Sequence, residues 1–561
     1  MATTREYSLH NMPDLRELFY AVTGMQGTSV AFHEKKQGFY QHISYGRFRE
    51  EVEALGTALG ARLPGEARIL IIGKNSYHMA LALFAAACGA GLPVPVDETV
   101  DSAELSVIIR EAGITAVLYD PAVADKIKRR RIPVKISMAD FPALIEEGRA
   151  AVQAGDESFC RRAIAPDAPA AIFYTAGTTG RAKGVQLSHR NILATLRALH
   201  AAEGIGAQDI FLSHLPLSHA YECVLGLLFP FYCGASVAFA EGIGTLMRNM
   251  REIHPTAMVT IPYFAERIYD KFWQLTKERG TETGVRRAIA VSDPVRPLSA
   301  RQSLKERLLR EARLPFGGAL RTLFVVGDFL PAAVCKGLRQ IGMFAAQGYG
   351  ITECAGLAAI NTPECYRDGS VGRPLEGLTF DLYNQQPDGC GEIRIKGDGV
   401  MLGYDRDDTR TNEALRGGWY YTGDLGRMDE DGFLYVIGRK QNGIECADGT
   451  LVSPEALELL IRQNPLVGEV VVAGVPNAAH TGYEPAALIL PDTACAAELF
   501  GIDFRPDEIE AAIGEWLGEL NATLAPSAAI TLFALRETPL PRNAAGRVLR
   551  AEVAAELAAA K

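Results

Sequence analysis

The chain has little that would mark an exported or disulfide-stapled protein. Its ten cysteines run from Cys88 to Cys495 with no CxxC pair and no dense framework, which points to a reducing, cytoplasmic compartment. The N-terminus, MATTREYSLHNM, has no apolar core and no small-residue cleavage site. Long hydrophobic runs are equally scarce. The two longest uncharged apolar stretches, 79–96 and 224–240, contain Gly and Pro and suit a buried helix leading into a strand better than a membrane span of about 20 residues. Positive charge is in deficit: 57 Lys and Arg against 67 Asp and Glu give a net charge of −10. That excludes a mainly phosphate-backbone nucleic-acid binder but leaves room for a local basic patch on a small anion. There is no internal repeat and no low-complexity linker. What is present is apolar material: 48% of 561 residues is hydrophobic, which excludes wholesale disorder and supports more than one domain.

Periodicity supplies the architecture. Ser44 is placed to cap a helix whose Phe48, Val52, Leu55 and Leu59 follow helical spacing. A buried strand over 69–72, a helix over 80–90 and a short strand near 94–96 make a βαβ unit, and 116–119 and 171–174 read as further buried strands. This alternation predicts an α/β fold with largely parallel sheets. From Gly391 the segments shorten and alternate, 392–395 and 433–437, as in antiparallel hairpins with Asp431-Gly432 at one turn. After Gly438 the pattern becomes a compact α+β set, with helices near 454–462 and 508–520 and strands at 470–472 and 487–490. The boundary falls near residue 440, giving domains 1–440 and 441–561.

The most informative stretch is Tyr174-Thr-Ala-Gly-Thr-Thr-Gly-Arg-Ala-Lys-Gly184. It leaves a buried strand and precedes a helix capped by Ser188 with Ile192, Leu196 and Leu199 on one face. The glycines let backbone N–H groups approach an anion, the threonines add hydroxyls and Lys183 adds charge, a set suited to a triphosphate. The bland alternative, for the segment alone, is a tight loop between strand and helix. It is not a GxxxxGK[ST] loop, since Ala182 precedes the lysine and Gly184 follows it. The chain has no GxGxxG after a strand, no GxSxG and no HExxH; Gly348-Tyr-Gly-Ile-Thr-Glu353 lacks the third glycine. Nucleotide-linked hydride transfer, serine hydrolysis and zinc proteolysis lose support.

The loop resembles the Thr-Ser-Gly-Thr-Thr-Gly-x-Pro-Lys-Gly signature of adenylate-forming, AMP-binding enzymes, with Ala176 for Ser and Ala182 for Pro. Further matches follow in the family's order over nearly the whole chain. The resemblance implies a large adenylate-forming body with parallel sheets and a small barrel-like β part, plus a small mobile α+β C-terminal domain. It implies that Thr175, Gly177, Thr178, Thr179, Gly180 and Lys183 hold phosphates. Gln347-Gly-Tyr-Gly-Ile-Thr-Glu-Cys354 resembles another family element, implying that Gly348, Tyr349 and Gly350 lie along adenine, that Thr352 touches the α-phosphate, and that Glu353, with Thr175, binds Mg²⁺. Trp419-Tyr-Tyr-Thr-Gly-Asp-Leu-Gly426 and Gly438-Arg-Lys440 imply Asp424 as the ribose acceptor and Arg439 as a second ribose or phosphate contact.

Leu215-Pro-Leu-Ser-His-Ala-Tyr-Glu222 is similar to a segment of long-chain fatty acyl-CoA synthetases, which implies His219 at the junction of acyl and nucleotide pockets. The bland alternative is a satisfied core histidine. The stretches 438–458, with Asn442 at the hinge position, and 484–492 continue the likeness, while Tyr263 and Asp328 depart from it. Pro541, Gly546 and Arg550 fix the register of the C-terminal motif, and there Arg547 replaces the lysine that bridges acyl carboxylate and α-phosphate. Arg is a planar fork and Lys a compact ammonium, so the exchange bears on rate. The expected activity is an ATP-dependent acid–thiol ligase working through an acyl-adenylate on a medium- to long-chain fatty acid, with Mg²⁺ and coenzyme A. The alternatives are a ligase for an acyl-carrier protein or a weakened binding homologue. No transmembrane segment is expected, and peripheral membrane contact stays open.

Overall fold

The computed structural model describes residues 9, 11–175, 182–290, 309–386, 389–477, 479, 481–501, 504–541 and 548–560. Two parallel sheets dominate the first part of the chain. In the smaller, Leu92–Asp97, Arg68–Gly73, Ala116–Tyr119 and Val134–Ser137 lie side by side, all parallel. Its centre is the expected run: Ile69, Leu70, Ile71 and Ile72 are all fully buried, because both faces are covered and the strand has no polar side to show.

The larger sheet has nine strands. Six run parallel, in the order Phe344–Tyr349, Thr322–Val325, Ala257–Thr260, Ile210–Ser213, Ser236–Phe239 and Val30–Lys36. Antiparallel strands flank them: Phe39–Ser44 on one side, Ala359–Ile360 and then Arg373–Pro374 on the other. Strand C-termini of the parallel set therefore open on one edge, where open α/β sheets bind ligands.

Helices follow the sequence signals closely. Ser44 Oγ accepts from the Arg47 N–H and starts Tyr45–Gly60, whose Phe48, Val52, Leu55 and Leu59 are fully buried. The helix expected over 80–90 begins earlier, at Tyr77 behind the Ser76 cap, and its last turn widens into a π-turn over Ala86–Ala90. Helices Tyr45–Gly60 and Phe141–Gln153 cross so closely that a Cβ on Gly148 would lie 1.8 Å from the Ala54 carbonyl oxygen. Gly148→Ala is therefore expected to destabilise the chain by about 1–3 kcal/mol through forced separation of the two helices, read as a lowered urea midpoint with an unchanged m-value.

The glycine-rich segment leaves the expected strand and precedes the expected Ser188-capped helix, but an unexpected strand lies between them. Pro169–Thr175 is followed by a second strand, Lys183–Ser188, antiparallel to it, with Thr175 opposite Lys183; Gly403–Tyr404 joins on the other side. The helix His189–Ala202 begins only after that strand, at a Ser188–Asn191 capping box. Val185 and Leu187 are fully buried, a period-two signal that marked the strand.

The chain divides into two compact units: residues 1–380 with 395–420 and 429–434, and residues 381–394 with 421–428 and 435–561. A five-stranded sheet is built within 378–439. In the second unit Val467–Pro476 pairs antiparallel with Tyr483–Pro491, which runs parallel to Leu532–Leu535. One face of that sheet packs against helices Pro454–Ile461 and Pro506–Asn521 through Leu457, Ile461, Ile509, Ile513 and Leu517. The other packs against Arg550–Ala560 through Val553 and Leu557. This is the α+β set read from the sequence. Among the described residues no helix is long and apolar enough to cross a membrane.

Candidate active site

In the first unit three segments remote in sequence meet around one carboxylate. Lys183 opens its strand, Glu353 sits in the turn Thr352–Cys354 just beyond Phe344–Tyr349, and Tyr404 ends Gly403–Tyr404. Lys183 Nζ lies 2.6 Å from Glu353 Oε1 and donates to Tyr404 Oη at 2.8 Å. Tyr404 Oη in turn donates to the same Glu353 oxygen at 2.9 Å. The ammonium also stands over the Tyr404 ring, 4.5 Å from its centroid. The Met401 N–H, donating to the Glu353 carbonyl at 2.8 Å, ties the Tyr404 segment to this turn.

Glu353 is only 6% exposed. Burial pushes its carboxyl up, but the Lys183 ammonium, with the Tyr404 hydroxyl and a backbone N–H, outweighs burial and holds it below its ordinary value. Tyr404 is pushed up by burial and by the Glu353 charge and stays a neutral donor. The result is an ionised, buried carboxylate facing a compact cation, a pair that a bound polyphosphate and a divalent cation can each enter. Tyr404 carried no sequence signal of its own; only folding brings it to Glu353.

The other expected residues fall as follows. Thr175 ends its strand with its Oγ1 buried and without a hydrogen-bond partner. Gly177, Thr178, Thr179 and Gly180 lie outside the described residues, as does Arg547. Tyr349 is buried at 7% exposure at the end of its strand, and Thr352 opens the turn that carries Glu353. Gly348 continues the strand, and Gly350 has a reason of its own: a Cβ there would lie 2.8 Å from the Gly356 carbonyl. His219 is exposed, its ring parallel to Tyr221 at 6.3 Å, so the satisfied-core alternative does not describe it. Asp328 is exposed and its Oδ1 accepts the Phe329 N–H at 2.8 Å, a local turn contact. Tyr263 is 55% exposed.

In the second unit Asp424 and Arg439 do meet: Arg439 Nε lies 3.0 Å from Asp424 Oδ1. Asp424 is 4% exposed and its N–H donates to Thr422 Oγ1 at 3.0 Å. Arg550, three residues after Arg547, grips both carboxylate oxygens of Glu458 and donates to the Val472 carbonyl at 2.7 Å. Asn442 donates to Glu455 Oε1 at 2.6 Å.

No group of three or more His, Cys, Asp or Glu that could hold a metal occurs among the described residues. A single ionised carboxylate fits Mg²⁺ carried on phosphates, not a cation caged by protein alone.

A cation–carboxylate pair whose lysine directly follows a Gly/Thr-rich stretch of sequence, at the C-terminal edge of a parallel sheet, defines a nucleotide-handling α/β enzyme. Residues 20–405 match the AMP-binding enzyme family, and the chain belongs to that family. It is 27% identical over 434 residues to long-chain-fatty-acid–CoA ligase FadD15 of Mycobacterium bovis, covering 72% of this chain and 71% of that one. To long-chain-fatty-acid–CoA ligase 6 of Mus musculus it is 29% identical over 501 residues, 80% and 70% of the two chains. Its fold matches that of o-succinylbenzoate CoA synthetase from Bacillus subtilis, solved with an acyl-adenylate, with a TM-score of 0.73 at 20% identity over 96% of this chain and 97% of that one. ATP-bound MatB from Rhodopseudomonas palustris matches with a TM-score of 0.75 at 22% identity over 96% and 98%. The chain is thus an adenylate-forming enzyme of the AMP-binding family.

Proposed function

We propose that this chain is an ATP-dependent acyl-CoA synthetase that activates a medium- to long-chain fatty acid through an acyl-adenylate in the cytoplasm. The observation that carries the reading is the Lys183–Glu353–Tyr404 cluster, an anion-binding cation and a cation-binding carboxylate in one place. Adenylate-forming enzymes use ATP, Mg²⁺ and coenzyme A, and solved neighbours hold ATP, ATP with magnesium, and AMP.

In the first half-reaction an oxygen of the acid attacks the α-phosphorus of ATP, that P–O bond forms, and the bond to the β-phosphate oxygen breaks to release pyrophosphate. The work of the chain is positional and electrostatic. Lys183 leaves Glu353 for the phosphates, helped by Thr175 and the residues Gly177 to Gly180. Glu353 is then free to hold Mg²⁺, which when bound neutralises phosphate charge. Tyr404 keeps the carboxylate aimed while Lys183 is away. Tyr349, Gly348 and Gly350 flank the base, Thr352 contacts the α-phosphate, and Asp424 and Arg439 serve the ribose. Arg547 stands where a lysine would bridge the two reacting partners. In the second half-reaction the thiol of coenzyme A attacks the acyl carbon, the C–S bond forms, and AMP leaves. Residues 441–561 act as a lid turning near Asn442, and His219 guards the junction of acyl and nucleotide sites.

The test is ATP–pyrophosphate exchange over a panel of fatty and aromatic acids, with wild type beside Arg547→Lys, followed by detection of the CoA thioester. Exchange is expected in both, about 10-fold faster in the lysine variant, because a compact ammonium places its charge between two oxygens better than a planar fork. Absence of exchange in both proteins with every acid overturns the reading.

A further inference from the structure

Four neighbouring parallel strands bring a row of side chains together. Thr260 is registered opposite Val325, and Val325 opposite Gln347. Ala257 is registered opposite Phe211, and His214 follows directly on the end of that strand, Ile210–Ser213, as Thr260 ends its own. All four lie on one face, since Leu212, Met258, Leu323 and Ala345, two residues before each, belong to a single apolar cluster under that face. The row is thus the last layer of this core before the C-terminal edge.

An apolar core has no evident use for such a layer. Thr260 is 0% and Gln347 1% exposed, yet Thr260 Oγ1 and Gln347 Nε2 have no hydrogen-bond partner, and the ring nitrogens of the half-buried His214 have nothing better than a weak contact with the Val259 backbone. Native interiors rarely leave polar groups so, because each forfeits its hydration without replacement. Here three side chains on one row do so together. The surroundings give no relief: the His214 ring meets the edge of Phe264 at 5.1 Å, and Gln347 Oε1 has only the weak Cys335 thiol at 3.8 Å. Burial drives the His214 pKa down to about 4, so the ring is a neutral donor and acceptor at physiological pH.

The strands that carry the row lead straight into the site. Gln347 lies two residues before Tyr349, Val325 abuts the turn with Asp328, Thr260 precedes Tyr263, and His214 adjoins the segment ending in His219 and Glu222. We propose that the row of His214, Thr260 and Gln347 is a recognition site for an uncharged oxygen-bearing group, a hydroxyl or carbonyl, on the chain of the acid this enzyme activates. This rests on the acid-activating reading above. A charged group does not suit the row, which offers no counter-ion and would strip an ion of water. A plain alkyl chain leaves all three side chains unsatisfied.

The experiment compares matched acids by ATP–pyrophosphate exchange: dodecanoate against its hydroxydodecanoate positional isomers, and phenylpropionate against 4-hydroxyphenylpropionate. Wild type, Thr260→Val, Gln347→Leu and the double variant are used. Both substitutions keep size and delete an orphaned polar group, so the apo proteins should melt no lower than wild type. Wild type is expected to favour one oxygenated acid by about 10-fold or more in kcat/KM, carried by KM, with the ratio falling toward 1 in the double variant. A ratio of 1 in wild type with robust exchange means that the row holds only buried water and overturns the proposal while leaving the ligase reading intact. A readout independent of turnover is the thermal shift with each free acid. Stabilisation specific to an oxygenated acid and lost in the double variant supports the site even if no exchange occurs, and its absence overturns it.

Discussion

Glu353→Gln is expected to lower ATP–pyrophosphate exchange by about 10²- to 10³-fold while leaving the protein folded. The substitution keeps the shape and the oxygen that Lys183 and Tyr404 address at 2.6 and 2.9 Å, and deletes only the charge. Charge is what the site needs, because a hard divalent cation takes a carboxylate far more readily than an amide, and preorganised charge in a buried site is the largest source of rate. Stability should fall only modestly, by about 1–3 kcal/mol, since Lys183 keeps 27% side-chain exposure and can turn to water. Tyr404→Phe separates aiming from charge. It retains the ring beneath the ammonium at 4.5 Å but loses the hydroxyl between the two charges, and a loss of about 10-fold is expected with an increased magnesium requirement. The two variants are ranked by exchange rate and magnesium titration. Equal losses would mean that the hydroxyl does more than aim, and an unimpaired Glu353→Gln would remove Glu353 from the site. The carboxylate's folded value lies below its ordinary one, so its stabilising contribution is present above about pH 4.5 and is lost as pH falls through the folded value.

The sequence signals located the strands well because buried parallel strands have no polar face to confuse them: 69–72 and 116–119 appear almost to the residue. Caps were equally plain, as at Ser44 and Ser188. The strand Lys183–Ser188 is hard to read from sequence, because the Ser188 cap and the helix behind it outweigh the short alternation of Val185 and Leu187. Of the site, the residues within motifs were legible, and the structure joins two pairs of them, Lys183 with Glu353 and Asp424 with Arg439. Tyr404 was not, because its role arises from three segments meeting and no spacing encodes that. Nor was the row of His214, Thr260 and Gln347, whose members are ordinary residues in or just after strands until the sheet brings them together. The protonation of Glu222 was also hidden, although the residue stood inside a recognised motif, since only burial determines it.

Glu222 carries the largest expected effect on stability. It is fully buried in the π-turn Glu222–Leu228. One oxygen accepts from Ser213 Oγ at 2.6 Å and the other has no partner. A Cβ on Gly226 would lie 2.7 Å from the carboxyl, so no solvent separates it from the turn. Burial raises its pKa to about 8, against the weaker opposing effect of Ser213. Glu203, raised by burial against Arg321, also reaches about 8. A carboxyl with a raised folded value binds a proton in the folded chain and not in the unfolded one between about pH 4.5 and 8. Each such group therefore stabilises at low pH and costs about 1.4 kcal/mol per pH unit as pH climbs through that window. Histidines act oppositely: the buried His33 and His189 and the half-buried His214 are lowered by desolvation to about 4, so they destabilise below their ordinary value of 6.5 and are silent above it. The stability of the protein is thus expected to peak near pH 6.5 and to fall toward pH 8 with a slope set by the two carboxyls. Glu222→Gln, which keeps the Ser213 contact and cannot ionise, should halve that falling slope and make the variant the more stable protein at pH 8. Urea denaturation at half-unit steps from pH 6.5 to 8.5 measures it, and parallel curves for wild type and variant would show that Glu222 is ionised in the folded chain.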